Sequence, residues 1–353
     1  MKTFLLPFCL LPFFSVTRFA SAQEGSTPLR VQVMLVEVEV SVTDSKGNYI
    51  RDLKPENFLI LEDNLPEKLA TFEEGSDSPR VVLDQSVAYP KSIGGSINSP
   101  STLTTVKPND RLKKSSDSNL FILFDTSNYM YRGFVFAQDS ISDFVRSLEG
   151  VDKLALYSYS RNLSRVAPLT ADRMRVLRGV RQTVAGDDAA LYNGLLMTVK
   201  DAAPLSGRKA IVVFSNGPDN ASLVPPEDIA ELAQSTGTII YMISTREAQT
   251  EPVSSAVFER ITKATGGKAY FAKDWKSEKQ AFSAIRDDLA HLYSLTYYPQ
   301  PNPNRGFRKI TVKLVGKDLQ KYRVRTREGY RLLRQSQRPE MDLGGPDVGA
   351  TQQ

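Results

Sequence analysis

Leu120, Phe121, Ile122, Leu123 and Phe124 form an unbroken apolar run that stops at Asp125. A short, uniformly apolar run reads as a strand buried on both faces, which is the condition of a parallel sheet covered by helices. The chain that follows meets that condition by alternating strand and helix patterns. Phe134, Ala137, Ile141, Phe144, Val145 and Leu148 fall on one helical face. Lys153–Tyr159 reads as a strand and Arg165–Leu169 as its antiparallel edge. Met174, Leu177, Val180 and Val184 mark a second helix, and Leu191, Leu195, Val199 and Ala202 a third that stops near Pro204. Lys209–Phe214, Thr238–Ile243 and Lys268–Ala272 are further strands. Between them lies a helix opened by Pro225-Pro226-Glu227-Asp228, with proline and acids in its first turn. Another helix ends at Gly266-Gly267, and Phe282, Ile285, Leu289 and Leu292 mark the last.

Both flanks of this region read as antiparallel β. Val36, Val38, Val40 and Val42 alternate with Glu37, Glu39, Ser41 and Thr43, the period of a half-buried strand. Val31, Val33 and Leu35 have the opposite parity, so a bulge or bend near Leu35 is expected. Asp44–Asn48 is a turn, Phe58–Glu62 a strand, Asp63-Asn64 a tight turn and Lys68–Phe72 the returning strand. At the other end Leu295–Tyr298 is apolar and aromatic, and Ile310, Val312, Leu314 and Tyr322, Val324, Thr326 alternate with polar residues. Neither set of strands makes a core alone. The economical solution is one smaller antiparallel β-sandwich built from both ends, with the mostly parallel, doubly wound α/β unit inserted. The expected division is a leader over 1–22, an N-terminal β module over 29–75 and a Ser/Pro/Gly-rich linker over 76–117, holding one strand near Arg80–Leu83. The α/β unit then covers 118–293, the C-terminal strands 294–333 and a disordered polar tail 334–353.

The leader reading rests on Lys2, the apolar stretch Phe4–Phe14 and the Ala20-Ser21-Ala22 cleavage pattern. That apolar stretch is too short to span a bilayer, and no later stretch reaches spanning length. The product is expected outside the cytoplasm, secreted or periplasmic. The single cysteine, Cys9, lies inside the leader. Disulfides, cysteine-based zinc sites and thiol nucleophiles are therefore excluded from the processed chain. The formal net charge of +5 includes Lys2 and Arg18 of the leader. The mild remainder, with no nucleic-acid motif, argues against a nucleic-acid partner.

Asp125 and Ser127 stand just past a buried strand, where ligands sit in open α/β sheets. A carboxylate and a hydroxyl there suit a hard cation such as Mg²⁺. The run Asn119–Tyr131 and its D-x-S spacing resemble the first strand of a von Willebrand factor A domain, a Rossmann-like fold. In that family D-x-S-x-S opens a metal-ion-dependent adhesion site completed by two further loops. The stretch Val36–Asn64 resembles the N-terminal module of a bacterial family, common in acidobacteria, that couples it to a von Willebrand factor A-like domain. The resemblance implies five oxygen-bearing ligands. Asp125 and Ser127 match two, while Tyr129 stands in the third place, Ala189 in the place of a threonine and Asn216 in that of an aspartate. A degenerate site is thus expected, with Asp187 and Asp188 as replacement ligands on the second loop, and no cofactor beyond Mg²⁺ in question. The binding face implied by these loops includes Tyr129, Tyr131, Ala189, Asn216 and Asp219.

No G-x-S-x-G elbow, phosphate loop, G-x-G-x-x-G after a strand or H-E-x-x-H is present. The only histidine, His291, follows the apolar stripe of the last helix and reads as a helix-end cap. Lys321, Arg323, Arg325 and Arg327 share one strand face and read as a solvated edge, with contact to an acidic partner the alternative. The expectation is a non-enzymatic binding module that contacts a protein or cell-envelope macromolecule through the Asp125, Asp187–Ala190 and Asn216–Asn220 loops. A structural envelope protein with a decayed site and, further off, an enzyme on an α/β scaffold are the competing readings.

Overall fold

The structure is a computed structural model that describes residues 35–75, 77–82, 117–244 and 252–332. The leader, most of the linker, the tail and the expected irregularity before Leu35 lie outside the described residues. The first strands are β1 (Val36–Thr43), β2 (Phe58–Glu62), β3 (Leu65–Glu67), β4 (Leu69–Glu74) and β5 (Arg80–Val81). Asp63 and Asn64 adopt φ of 49° and 69°, the left-handed pair that a tight hairpin turn requires and that short polar side chains tolerate. The returning strand differs from expectation. β3 pairs with β2, and β4 leaves that sheet to pair with a C-terminal strand. Pro66 cannot donate to a ladder and suits the short outer strand β3, whereas β4 buries Ala70, Thr71, Phe72 and Glu73 and takes an inner position.

The α/β region comprises β6 (Ser118–Asp125), α1 (Phe134–Ser147), β7 (Lys153–Tyr159), β8 (Leu163–Thr170), α2 (Arg173–Gln182), α3 (Leu191–Ala202), β9 (Arg208–Ser215), α4 (Pro226–Thr236), β10 (Thr238–Ser244), α5 (Pro252–Thr265), β11 (Ala269–Phe271) and α6 (Trp275–Ala290). The sheet order is β11-β10-β9-β6-β7-β8, parallel except for β8 at one edge. Strand alternation divides the core. Leu120, Ile122 and Phe124 join the cluster that includes Phe144, Val176 and Ile285 of α1, α2 and α6. Phe121 and Leu123 join Leu195, Ile229 and Phe258 of α3, α4 and α5 on the other face. Helix ends are set locally: Asp172 accepts from the Met174 and Arg175 amides, and Asp274 and Ser277 form a capping box.

The chain closes with β12 (Tyr293–Tyr297), β13 (Phe307–Leu314), β14 (Arg323–Arg325) and β15 (Gly329–Arg331). These join the N-terminal strands in two sheets, β14-β1-β12-β4-β5 and β15-β13-β2-β3. Val38, Val40, Ile60, Phe72, Leu295 and Ile310 fill the core between them. The shared sandwich expected from the two flanks is therefore present. Glu62 points into that core, where Arg308 and the hydroxyls of Tyr297 and Tyr330 surround its carboxylate at 2.8–2.9 Å.

Two sequence readings are corrected by how the sandwich meets the α/β region. β1 is not half-buried, since Glu39 and Ser41 on its polar face are also covered. Glu39 pairs with Arg208 of β9 at 3.2 Å, and Ser41 donates to Asp288 of α6 at 3.1 Å. The arginines near β14 are not all a solvated edge either. Arg325 grips Asp288 with distances of 2.5 and 2.6 Å, and Arg327 donates to the Glu37 carbonyl and to the Gln234 carbonyl at the end of α4. Period-two patterning reports side-chain chemistry, and here the polar face is buried because it finds charged partners across the junction. His291 caps α6 as expected and stacks on Tyr49 with ring centroids 4.8 Å apart.

Candidate functional site

β6 ends at Asp125 between β7 and β9, so three strand ends converge on its carboxylate. The Asp125 side chain is fully buried. Its Oδ1 accepts the Ser127 amide at 2.9 Å, and its Oδ2 accepts the Ser215 hydroxyl at 2.8 Å. Tyr159, at the end of β7, in turn donates its hydroxyl to Ser215 Oγ at 2.8 Å. The result is a relay from β7 through β9 to β6. Burial raises the Asp125 carboxyl above the usual range, and the hydrogen bonds from Ser127 and Ser215 offset part of that rise.

Backbone contacts lock the second loop to the first. Gly186 donates to the Thr126 carbonyl at 2.6 Å, and Asn128 donates to the Asp187 carbonyl at 2.8 Å. Gly186 sits so close to β7 that a Cβ there would lie 2.4 Å from Ser160 Oγ. The third loop joins through Asn216, whose side-chain amide donates to the Tyr129 carbonyl. Asn220 then holds the second loop from the other side, accepting the Ala189 amide at 2.8 Å. The three loops named from the sequence do meet.

The individual residues are placed as follows. Ser127 is buried, with its amide and hydroxyl beside the Asp125 carboxylate. Ala189 and Asn216 are also buried, so the outer surface falls to Tyr129 and Tyr131. Asp187 is exposed, and Asp188 pairs with Arg161 at 3.2 Å. The Asp219 carboxylate is occupied by backbone donors, taking the Tyr192 amide at the start of α3 and the Ala221 and Ser222 amides. Sequence reasoning did not single out Ser215, Tyr159 or Asn220. Ser215 and Tyr159 were findable as the last residues of strands flanking β6; Asn220 carried no signal beyond its place in the third loop.

A divalent cation would find few free oxygens here. Asp125 offers the one carboxylate at the centre, and two donors already engage it. Ser127 adds a hydroxyl beside it, while Ala189 adds no side-chain oxygen and the Asn216 amide nitrogen is turned to Tyr129. Among the described residues no three His, Cys, Asp or Glu side chains gather in a group able to hold a metal. Mg²⁺ demands several oxygens in near-octahedral array, and these residues do not fit it.

Residues 120–218 match the von Willebrand factor type A domain family. No curated protein matches the chain. Among solved structures, it is similar to a conserved hypothetical protein BatB from Bacteroides thetaiotaomicron, at 15% identity over 48% of this chain and 98% of that one, with a TM-score of 0.41. It is also similar to a von Willebrand factor type A protein from Catenulispora acidiphila, at 14% identity over 57% and 63% of the two chains, with a TM-score of 0.42. Proximal thread matrix protein 1 from the mussel byssus matches at 17% identity over 49% and 47%, with a TM-score of 0.42. The unit whose strand ends hold Asp125, Ser127 and Ser215 thus has a von Willebrand factor A-like fold, carried on an antiparallel sandwich formed by both ends of the chain.

Proposed function

We propose that the protein is an exported, non-enzymatic interaction module. It recognises a protein of the cell exterior or envelope through the loops at the carboxyl edge of the α/β sheet, over residues 125–136, 187–190 and 216–220. Recognition does not use a divalent cation, because the adhesion site of the family is degenerate here. The supporting observation is the exposure of large apolar side chains beside the closed site. Tyr131 is 74% exposed, Val135 62% and Phe136 61%, on the turn and first helical residues that follow Asp125. Exposed aromatics next to a rigid, buried polar network suit a protein-binding hot spot. Against catalysis stands the lack of an activated nucleophile among the described residues, the only histidine being the cap of the last helix.

The test is capture from cell-envelope extract with the purified protein, with and without chelator, beside a Tyr131→Ala/Phe136→Ala variant. A specific partner retained under chelation and lost by the variant is expected. A partner lost on chelation would contradict the metal-free reading. Absence of any partner would favour a structural envelope protein.

A further inference from the structure

Where α5 ends against β13 and β14 lies a cleft of about 840 Å³, distinct from the loops around Asp125. Helices of this fold run opposite to the strands, so the C-terminal turn of α5 marks the amino edge of the sheet, away from Asp125. The volume falls in the range of ligand pockets, roughly 300–1,000 Å³. Its apolar lining is the exposed Phe307 and the half-buried Val324, with Ile310 and Val312 of the sandwich core behind them. Two edge strands border it: β11 ends the six-stranded sheet and β14 ends the five-stranded one. β13 also contributes, and past Ile310 its ladder partner among the described residues is β2 alone.

The junction is held close by a glycine. At Gly266, φ is +81°, and a Cβ would lie 2.7 Å from the Arg327 amide nitrogen. Arg327 is 7% exposed and lines the cleft, and its Nε–H has no partner among the described residues although its other nitrogens are bonded. Thr326 beside it also has a buried hydroxyl without a partner among the described residues. Charge is unbalanced there. Lys263, Lys268, Lys309, Arg325 and Arg327 line the cleft against Glu259 and Glu328. Lys263 is paired with Glu328 and Arg325 with Asp288, while the exposed Lys268 and Lys309 amines have no carboxylate partner among the described residues.

We propose that this cleft seats an extended acidic peptide of a partner protein. The peptide lies along the edge strands, its alternate apolar side chains against the exposed Phe307 and half-buried Val324 and its carboxylates toward Lys268, Lys309 and Arg327. Open strand edges supply main-chain hydrogen bonds, and the wall and cations supply selectivity for alternating acidic-apolar sequence.

The experiment is fluorescence anisotropy of the purified protein with a labelled octapeptide alternating glutamate and valine. Controls are a lysine-valine peptide, a glutamate-valine peptide interrupted by proline, and free glutamate as competitor. Saturable binding of the first peptide alone is expected, weakened at least about tenfold by Lys268→Glu/Lys309→Glu, whose exposed positions leave the fold intact by thermal melt. Equal binding of the lysine or proline peptide, no binding of the glutamate peptide, or no effect of the variant would overturn the proposal. Full competition by free glutamate would also overturn it, in favour of a small carboxylate ligand.

Discussion

Ser215 Oγ donates to Asp125 Oδ2 at 2.8 Å, so the carboxylate at the centre of the site is held by the protein itself. Ser215 accepts a hydrogen bond from Tyr159 and donates one to Asp125, which fixes three strand ends in one arrangement. Ser215→Ala removes a donor from a buried acid and a partner from a buried phenol. A loss of about 1–3 kcal/mol is expected in denaturant unfolding, with the Asp125 carboxyl shifted further upward. An unchanged midpoint would mean the relay is not formed in solution.

The junction between sandwich and α/β region rests on Asp288, which gathers Arg325, Tyr241 and Ser41. Arg325→Met leaves that acid buried with neutral partners, and a destabilisation of about 3–5 kcal/mol is expected. Asp288→Asn/Arg325→Met, which removes both charges, should recover part of it. Equal losses in the single and double variants would show that the charge pair is not the source.

Stability should fall as pH rises across the neutral range. Burial pushes the Glu73 carboxyl up to about 8, and burial also raises Glu39 beside the same Arg208. A folded state that holds a proton the unfolded chain releases is favoured most below the ordinary carboxyl range, and that advantage is lost as pH passes through about 8. Glu73→Gln removes its share, so the plot of melting temperature against pH should become shallower. A slope identical to that of the natural protein would contradict the assignment.

The succession of strands and helices was legible because parity and helical period act within a few residues. β6, β7, β9 and β10 carry runs that only a doubly covered sheet buries. The shared sandwich was legible because two incomplete β sets needed each other. What the sequence hid was the far side of β1, the pairing of Arg325 with Asp288 and the burial of Arg327. A glutamate in a strand looks solvated until a cation 169 residues away is seen to meet it, as Arg208 meets Glu39. The loops of the site were legible from the D-x-S run and its two companions. The relay through Tyr159 and Ser215 was not, because tyrosine and serine at strand ends are common and only the sheet order makes them neighbours.

Restoring the family pattern offers a positive test of loop placement. Tyr129→Ser, Ala189→Thr and Asn216→Asp together supply two hydroxyls and a carboxylate around Asp125 and Ser127. Since Ala189 is fully buried, the larger threonine should cost about 1–3 kcal/mol of stability even as the site improves. Gain of saturable Mn²⁺ binding is expected. A stable triple variant with no gain would show that the three loops are misplaced relative to one another.

The most direct test of the metal-free account is calorimetric titration of the natural protein with Mg²⁺ and with Mn²⁺. Dilution heat alone through physiological magnesium is predicted, unchanged in Asp125→Ala. Stoichiometric binding by the natural protein that disappears in Asp125→Ala would contradict the account and point to Asp187 or Asp188 as the missing ligands.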